Sequence, residues 1–260
     1  MQDFNYHTHT FRCGHAEPGS DEDYVQAAIE YGYKVLGFSD HAPYRNWPKK
    51  TIHMNWEELD DYLTSLRNLK EKYRGIIDIK IGFESEYFPY TLEERRELRS
   101  MCDYLILGQH FSDPIGTRCS YFRTNTDEEI LEYADMVCAG LDTGLFTYLA
   151  HPDVFMFKQK EFTPACQKAA HMIARKAVET NTPLEMNVRG VTRGKISFPQ
   201  GEAYYYPHLP FWQIAAQYPV KVIMGIDAHA PRDLVDRQSV IDGFKELEPL
   251  GLDWIKEPIV

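Results

Sequence analysis

Asp3-Phe4-Asn5-Tyr6-His7-Thr8-His9-Thr10, with His15 shortly beyond it, is a short half-apolar run that ends in two histidines two residues apart. On a strand, residues i and i+2 point to the same face, so His7 and His9 can grip one metal ion from one side. A His-x-His pair alone is a weak signal. It gains weight here because later strand-like runs also end in histidine, aspartate or glutamate.

Working outward from residues 2–7, further strands are expected over 34–38, 76–83, 103–108, 146–150, 183–186 and 220–224, each an apolar run of strand length. Helical patterns lie between them. Ser20 caps a helix that runs to about Tyr31 and stops at Gly32. Asn55 with Glu58, Thr91 with Glu94 and Thr126 with Glu129 have capping-box spacing, and Leu59, Tyr62, Leu63, Leu66 and Leu69 give the Asn55 helix one apolar face. Thr163-Pro164 opens a helix to about Thr180. Two more helices are expected over about 208–217 and 234–246. The polar stretch 111–125 is long for a simple connection and reads as the rim of a site, while 191–206 reads as loop.

Seven alternating β–α units with short turns imply a parallel sheet. Closed into a ring they give a distorted (β/α)7 barrel, one unit short of the eight-fold form. An open doubly wound sheet is the alternative, and it would spread the strand-end residues along a crevice. The 260 residues, 43% hydrophobic, suit one large domain over 1–260, with no low-complexity tract or linker to divide it.

No apolar run reaches the ~18 residues of a membrane span. The first residues lack the basic and apolar regions of a secretory signal. Cys13, Cys102, Cys119, Cys138 and Cys166 are scattered and form no C-x-x-C, as expected of reduced thiols in the cytoplasm. A net charge of −11 argues against a nucleic-acid coat, which needs a basic face. It leaves room for an anionic substrate, because bound metal ions reverse the sign locally.

In parallel α/β barrels the chemistry gathers where strands end. Closure would bring His7, His9, His15, Asp40, His41, Glu84, His110, His151, Asp227 and His229 into one mouth. Imidazoles with a few carboxylates suit Zn, Fe or Mn better than Ca or Mg. Seven histidines and two carboxylates exceed what one ion uses, so two or three divalent transition-metal ions are expected. Asp40 reads as a residue that orients His41 or another ligand from behind. Cys13 reads as a small packed thiol, Glu86 as an outer-shell or substrate-contacting carboxylate, and Lys49-Lys50 as solvated loop. His53, His171 and His208 fall away from the strand ends.

The set His7-Thr-His9, His15, Ser39-Asp-His41, Glu84, Gly108-Gln-His110, His151-Pro-Asp153 and Gly225-Ile-Asp-Ala-His229 resembles the PHP (polymerase and histidinol phosphatase) family over nearly the whole length. Within it the pattern is most similar to the monofunctional histidinol-phosphate phosphatases. The resemblance implies a distorted (β/α)7 barrel and a metal-dependent hydrolase that converts L-histidinol phosphate to L-histidinol and phosphate in histidine biosynthesis. It also implies the ligand sets. His7, His9, Glu84 and Asp227 would hold one metal; Glu84 would bridge to a second with His110 and His151; His15, His41 and His229 would hold a third. Asp227, Glu84 and His229 are then expected at the reacting centre, where a metal-bridging hydroxide would attack phosphorus. Arg189, His41 and Asn187 are expected against the substrate, a small phosphate ester. Arg189 is the first candidate to grip phosphate through two hydrogen bonds. Arg12, Arg118, Lys158 and Arg193 are secondary ones. The run Tyr204-Tyr-Tyr206 offers a wall for the substrate or simple packing. Action on nucleotides or another small ester is the alternative, and a non-catalytic metal-binding or polymerase-associated module is a further one.

Overall fold

A computed structural model describes residues 2–46, 52–113, 120–123, 126–199 and 201–260. Arg118 and the Lys49-Lys50 pair lie outside these residues. In chain order the strands are β1 (Phe4–Asn5), β2 (Val35–Phe38), β3 (Asp78–Ser85), β4 (Tyr104–Leu107), β5 (Tyr148–Leu149), β6 (Leu184–Asn187), β7 (Ile196–Phe198), β8 (Gly201–Ala203), β9 (Lys221–Gly225) and β10 (Asp253–Trp254). The helices are α1 (Asp21–Tyr31), α2 (Leu59–Lys72), α3 (Leu92–Met101), α4 (Asp127–Asp142), α5 (Pro164–Glu179), α6 (Val188–Thr192), α7 (Leu209–Ala215) and α8 (Arg237–Leu247). Eight strands form one parallel sheet in the order β1-β2-β3-β4-β5-β6-β9-β10, curled with helices around it.

The seven expected strands are all present, and the eighth, β10, was not expected. It pairs with the first two residues of β9, Lys221 and Val222. The ring closes elsewhere, at the carboxyl ends of β1 and β9. There Thr8 bridges Ala228: His9 N–H donates to Ala228 O at 2.8 Å, and Ala228 N–H donates to His7 O at 3.1 Å. Below that bridge, side-chain amides replace the backbone ladder. Gln2 Nε2 donates to Met224 O at 2.8 Å, and Ile226 N–H donates to Asn5 Oδ1 at 2.9 Å. The distortion of the barrel is this seam, with β10 occupying the lower gap.

The segment 191–206, read as loop, instead carries the end of α6 and an antiparallel hairpin, β7 with β8. Of the capping patterns, the Asn55–Glu58 pair forms, with Asn55 N–H donating to Glu58 Oε2 at 2.7 Å, but it opens a 3-10 turn, Trp56–Glu58, before α2. Thr91 makes no capping bond; its hydroxyl donates back to Phe88 O at 3.1 Å, and Glu94 turns to Arg95. The cap at Ser20 and the box at Thr126 form as expected, and Asp23 completes a box with Ser20.

Alternation divides the strands between two cores. Phe4, Tyr6, Val35, Tyr104, Ile106, Tyr148 and Ile223 fill the barrel interior, while Leu36, Phe38, Phe83, Leu105 and Leu107 face the helices. Tyr104 is the interior keystone: its hydroxyl lies between two carbonyls, 2.6 Å from Tyr6 O and 3.0 Å from Phe38 O, and its one proton is shared between them. Its ring lies over Gly82, where a Cβ would come within 2.6 Å of it. Apolar packing fills the lower barrel, and the polar strand ends are left at the top. Among the described residues no helix is long and apolar enough to cross a membrane.

Candidate metal centre

Glu84, near the end of β3, lies at the centre of the barrel mouth and is 1% exposed. Five imidazoles converge on its carboxylate. His151 Nε2 is 2.8 Å from Oε1 and His110 Nε2 is 3.3 Å from it. His41 Nδ1, His9 Nε2 and His7 Nε2 are 3.1, 3.4 and 3.5 Å from Oε2. The carboxylate has this room because Gly108 has no side chain; a Cβ there would stand 2.0 Å from Glu84 Oε1. Asp227 forms a second focus, its Oδ1 3.1 Å from His9 Nε2 and 3.3 Å from His229 Nδ1. His15, the one exposed member, approaches His229 with 2.7 Å between their Nε2 atoms. All nine residues expected to bind metal are therefore in one cluster.

His151 and Asp227 have left-handed backbones, with φ of 30° and 56°. Non-glycine residues adopt that region at a cost, and such strain gathers at functional sites. At both places it accompanies a side chain in the cluster, one strand end on each side of β6.

Several groups of three donors have their ligand atoms within 4.8 Å of one another: His7, His9 and Glu84; His7, His151 and Asp227; His9, His41 and His229; and Cys13, His15 and His229. His7 Nε2, His9 Nε2, His41 Nδ1 and Asp227 Oδ1 are buried and have no hydrogen-bond partner. Native proteins pair such atoms with polar groups, water or ions. The donor set fits metal ions, and the orphaned atoms mark where ligand bonds would go.

Electrostatics agree. Burial would raise Glu84 and Asp227, yet the surrounding imidazoles hold both well below the usual carboxylate range. Burial would lower His7 and His110, yet Glu185, Asp227 and Glu84 raise His7 to about 10, and Glu84 with Glu86 raises His110 to about 9. Without metal, protons on these rings balance the carboxylates. A metal needs the neutral ring. Loading metal at pH 7 is therefore expected to release protons from His7 and His110, and affinity is expected to rise with pH toward 9–10. Calorimetric titration in two buffers of different ionisation heat measures the release; identical heats would contradict it.

Behind the cluster stand residues that aim it. Asp40 accepts the His41 N–H at 2.8 Å and the Thr10 hydroxyl, with Oδ1 3.4 Å from His9 Nδ1. Cys13 is fully buried and donates its S–H to Thr10 O at 3.2 Å. Glu185 carries no expectation from the sequence, and it proves central. Oε1 is 2.8 Å from His7 Nδ1, while Oε2 accepts the strained His151 N–H at 3.0 Å and the Asn187 amide at 2.9 Å. Gly225 makes its space, since a Cβ there would lie 1.8 Å from Oε1. The available signal was a carboxylate inside a buried strand, in phase with Asn187. Glu185→Gln is expected to weaken metal binding about 10–100-fold, the usual effect of losing an outer carboxylate partner. Equilibrium titration with Zn2+ checks this, and wild-type affinity would refute it.

His53 also corrects the sequence reading. It lies away from every strand end in the chain, but it is buried against Glu86, with Nε2 3.0 Å from both oxygens.

The cluster floors a cavity of about 230 Å3, whose walls include Ile52, Phe122, Arg189, Arg193 and Tyr206. Arg189 reaches it with one weak tie, 3.8 Å to Asp233. Arg193 Nε donates to Tyr206 Oη at 3.3 Å. Arg12 does not line it: that guanidinium is buried and bound to Asp21 and Asp61, a structural role. Lys158 faces the Phe157 ring instead. Asn187 braces Asp227 from behind, its amide 3.2 Å from Oδ2. Larger depressions on the surface, such as the one bounded by Lys34, Arg67 and Arg74, lie away from these ligand groups.

Comparison with known proteins gives the same picture. The chain is 28% identical over 252 residues to the probable histidinol-phosphatase of Deinococcus radiodurans, covering 94% of this chain and 92% of that one. It is 28% identical over 151 residues to the histidinol-phosphatase of Bacillus subtilis, 55% of each chain. Its fold superposes on the crystal structure of histidinol phosphate phosphatase from Lactococcus lactis, complexed with zinc, L-histidinol and phosphate. The TM-score is 0.75, with 19% identity and coverage of 98% of this chain and 95% of that one. A structure of the putative histidinol phosphatase from Listeria monocytogenes matches with the same TM-score, at 20% identity and over 92% of this chain and 99% of that one. The PHP domain model matches residues 5–189, from β1 through β6 to Arg189, so the chain belongs to the PHP domain family.

Proposed function

We propose that this chain is a metal-dependent phosphate monoester hydrolase that converts L-histidinol phosphate to L-histidinol and phosphate in histidine biosynthesis, its 260 residues acting as one PHP-type domain in the cytoplasm. The observation that carries the reading is the convergence of five imidazoles on the buried Glu84 beneath a cavity with two arginines in its wall. The two relatives named histidinol-phosphatase support the substrate.

His7, His9, Glu84 and Asp227 would hold one divalent ion, Glu84, His110 and His151 a second, and His15, His41 and His229 a third; zinc, iron and manganese suit such donors. The sequence reading counted two carboxylates, but Asp40, Glu84, Glu86, Glu185 and Asp227 all bury theirs around these imidazoles. Divalent ions would offset that negative set, and Arg189 and Arg193 in the cavity wall add positive charge toward a phosphate dianion. Bound there, the ions would acidify water toward pKa ~7 and neutralise charge on the phosphoryl oxygens.

The chain's own groups do the rest. Arg189 and Arg193 would donate to phosphate oxygens from the cavity wall, which His41 also lines. Asn187 donates to Asp227 Oδ2 and so fixes the carboxylate with Oδ1 turned toward His7 and His9, the side on which it would bind the ion and face the attacking water. His229 Nδ1 donates to Asp227 O at 2.9 Å, which keeps Nε2 turned to the site. Water oxygen bonds to phosphorus as the P–O bond to the alcohol breaks, and the alcohol leaves with a proton. Single-turnover hydrolysis in oxygen-18 water tests this. Label is expected in phosphate and none in histidinol; a phosphorylated side chain would overturn it. A panel in which nucleoside monophosphates outpace histidinol phosphate would overturn the substrate.

A further inference from the structure

His53 stands between β2 and α2 in the chain, yet its side chain is 2% exposed. It packs its ring 5.8 Å from that of His41 and 6.0 Å from that of Phe111. The next residue is fixed as well, since Met54 N–H donates to His41 O at 3.3 Å. From this anchored position Nε2 reaches the Glu86 carboxylate at 3.0 Å. Glu86 is itself 1% exposed. Its Oε2 also accepts the Tyr44 hydroxyl at 2.8 Å, and its Oε1 faces His110 Nδ1 at 3.2 Å. Burial would raise Glu86, but the imidazoles of His53 and His110 hold it well below the carboxylate range, so it stays an acceptor.

A metal-binding histidine needs its other ring nitrogen held, because that bond selects the tautomer and sets the ring plane. With Nδ1–H given to Glu86, His110 turns a bare Nε2 toward Glu84. The terminal torsion of a glutamate is soft. Glu86 offers a fixed oxygen to His110 only because other donors hold it, and His53 touches both of its oxygens. We propose that His53 is a positioning residue of the metal centre, acting through Glu86 to set the tautomer and ring plane of His110. The inference rests on the reading of His110 as a metal ligand.

The test uses the full chain, freed of metal and titrated with Zn2+ against a chromogenic chelator. His53→Phe keeps the ring volume and removes the donor. It is expected to weaken zinc binding at one site about 10–100-fold, as loss of an outer-shell partner does. Glu86→Gln is expected to do the same, and His53→Gln, whose amide can reach the same carboxylate, to recover much of the affinity. Wild-type zinc affinity in both His53→Phe and Glu86→Gln would overturn the proposal. If His53→Phe fails to fold by circular dichroism, a double-mutant cycle of His53→Ala, which removes the donor, with Glu86→Gln decides: coupled effects support it and additive effects overturn it. The affinity measurement does not depend on which ester is hydrolysed. A wrong substrate would appear in the phosphate panel and leave this titration unchanged.

Discussion

Glu84→Gln is expected to lower kcat/KM for phosphate-ester hydrolysis by about 10³-fold or more, with the fold retained. Metal ions contribute several kcal/mol of transition-state stabilisation, and each ~1.4 kcal/mol is tenfold in rate. Glu84 is the one carboxylate that five imidazoles share. The amide has nearly the same shape but no charge, so the two ions it would bridge lose their common ligand. Initial rates measured together with metal content and a melting curve check this. Activity within tenfold of the wild type, with full metal content, would remove Glu84 from the centre of the chemistry. Gly108→Ala offers a second approach to the same carboxylate, because the added methyl would occupy the place of Oε1. The same loss in milder form is expected there.

Removing the metal is expected to abolish phosphate release and to destabilise the fold in a pH-dependent way. An ion present at 100 times its dissociation constant stabilises by about 2.7 kcal/mol, so chelation is expected to lower Tm by about 5–10 °C. The dependence on pH follows from His7 and His110. Their pKa values in the folded, metal-free protein lie above the ordinary 6.5, at about 10 and about 9. Groups raised on folding stabilise fully below their unfolded pKa, and that contribution fades as pH climbs through the folded one. The metal-free protein is therefore expected to lose stability between pH 6.5 and about 10, as the protons that balance Glu84, Asp227 and Glu185 are shed. The loaded protein, whose charge balance comes from metal, is expected to hold. Melting curves with and without chelator across that range decide it; a gap in Tm that stays constant or narrows with pH would contradict the charge account.

The reading from sequence reached the seven strands and the nine clustered donors mainly for one reason. Most donors stand at or just past the end of an apolar run, which is recognisable without knowing its neighbours; His15, in a loop, was reached through the family resemblance. His7 and His9 are legible as a pair because strand geometry alone puts them on one face. Residues that work through a partner are different. Glu185 is defined by His7 and the His151 backbone, contributed by distant strands. His53 is defined by Glu86, and Arg12 by Asp21 and Asp61, which turn a candidate phosphate ligand into a buried brace. Strand β10 and the β7–β8 hairpin were missed because they carry no buried apolar run: of their residues only Phe198 is buried.

The chain by itself thus determined an alternating β–α order with metal-binding residues at the strand ends, since those are properties of short local segments. Only the tertiary structure decided how the ring closes, which carboxylates lie behind the ligands, and which arginines reach the cavity. Closure is made at Thr8 and Ala228 by chain segments far apart in sequence, and burial places five carboxylates around the ligand imidazoles. Charge balance in a buried site depends on distance in space, and no spacing along the chain encodes it.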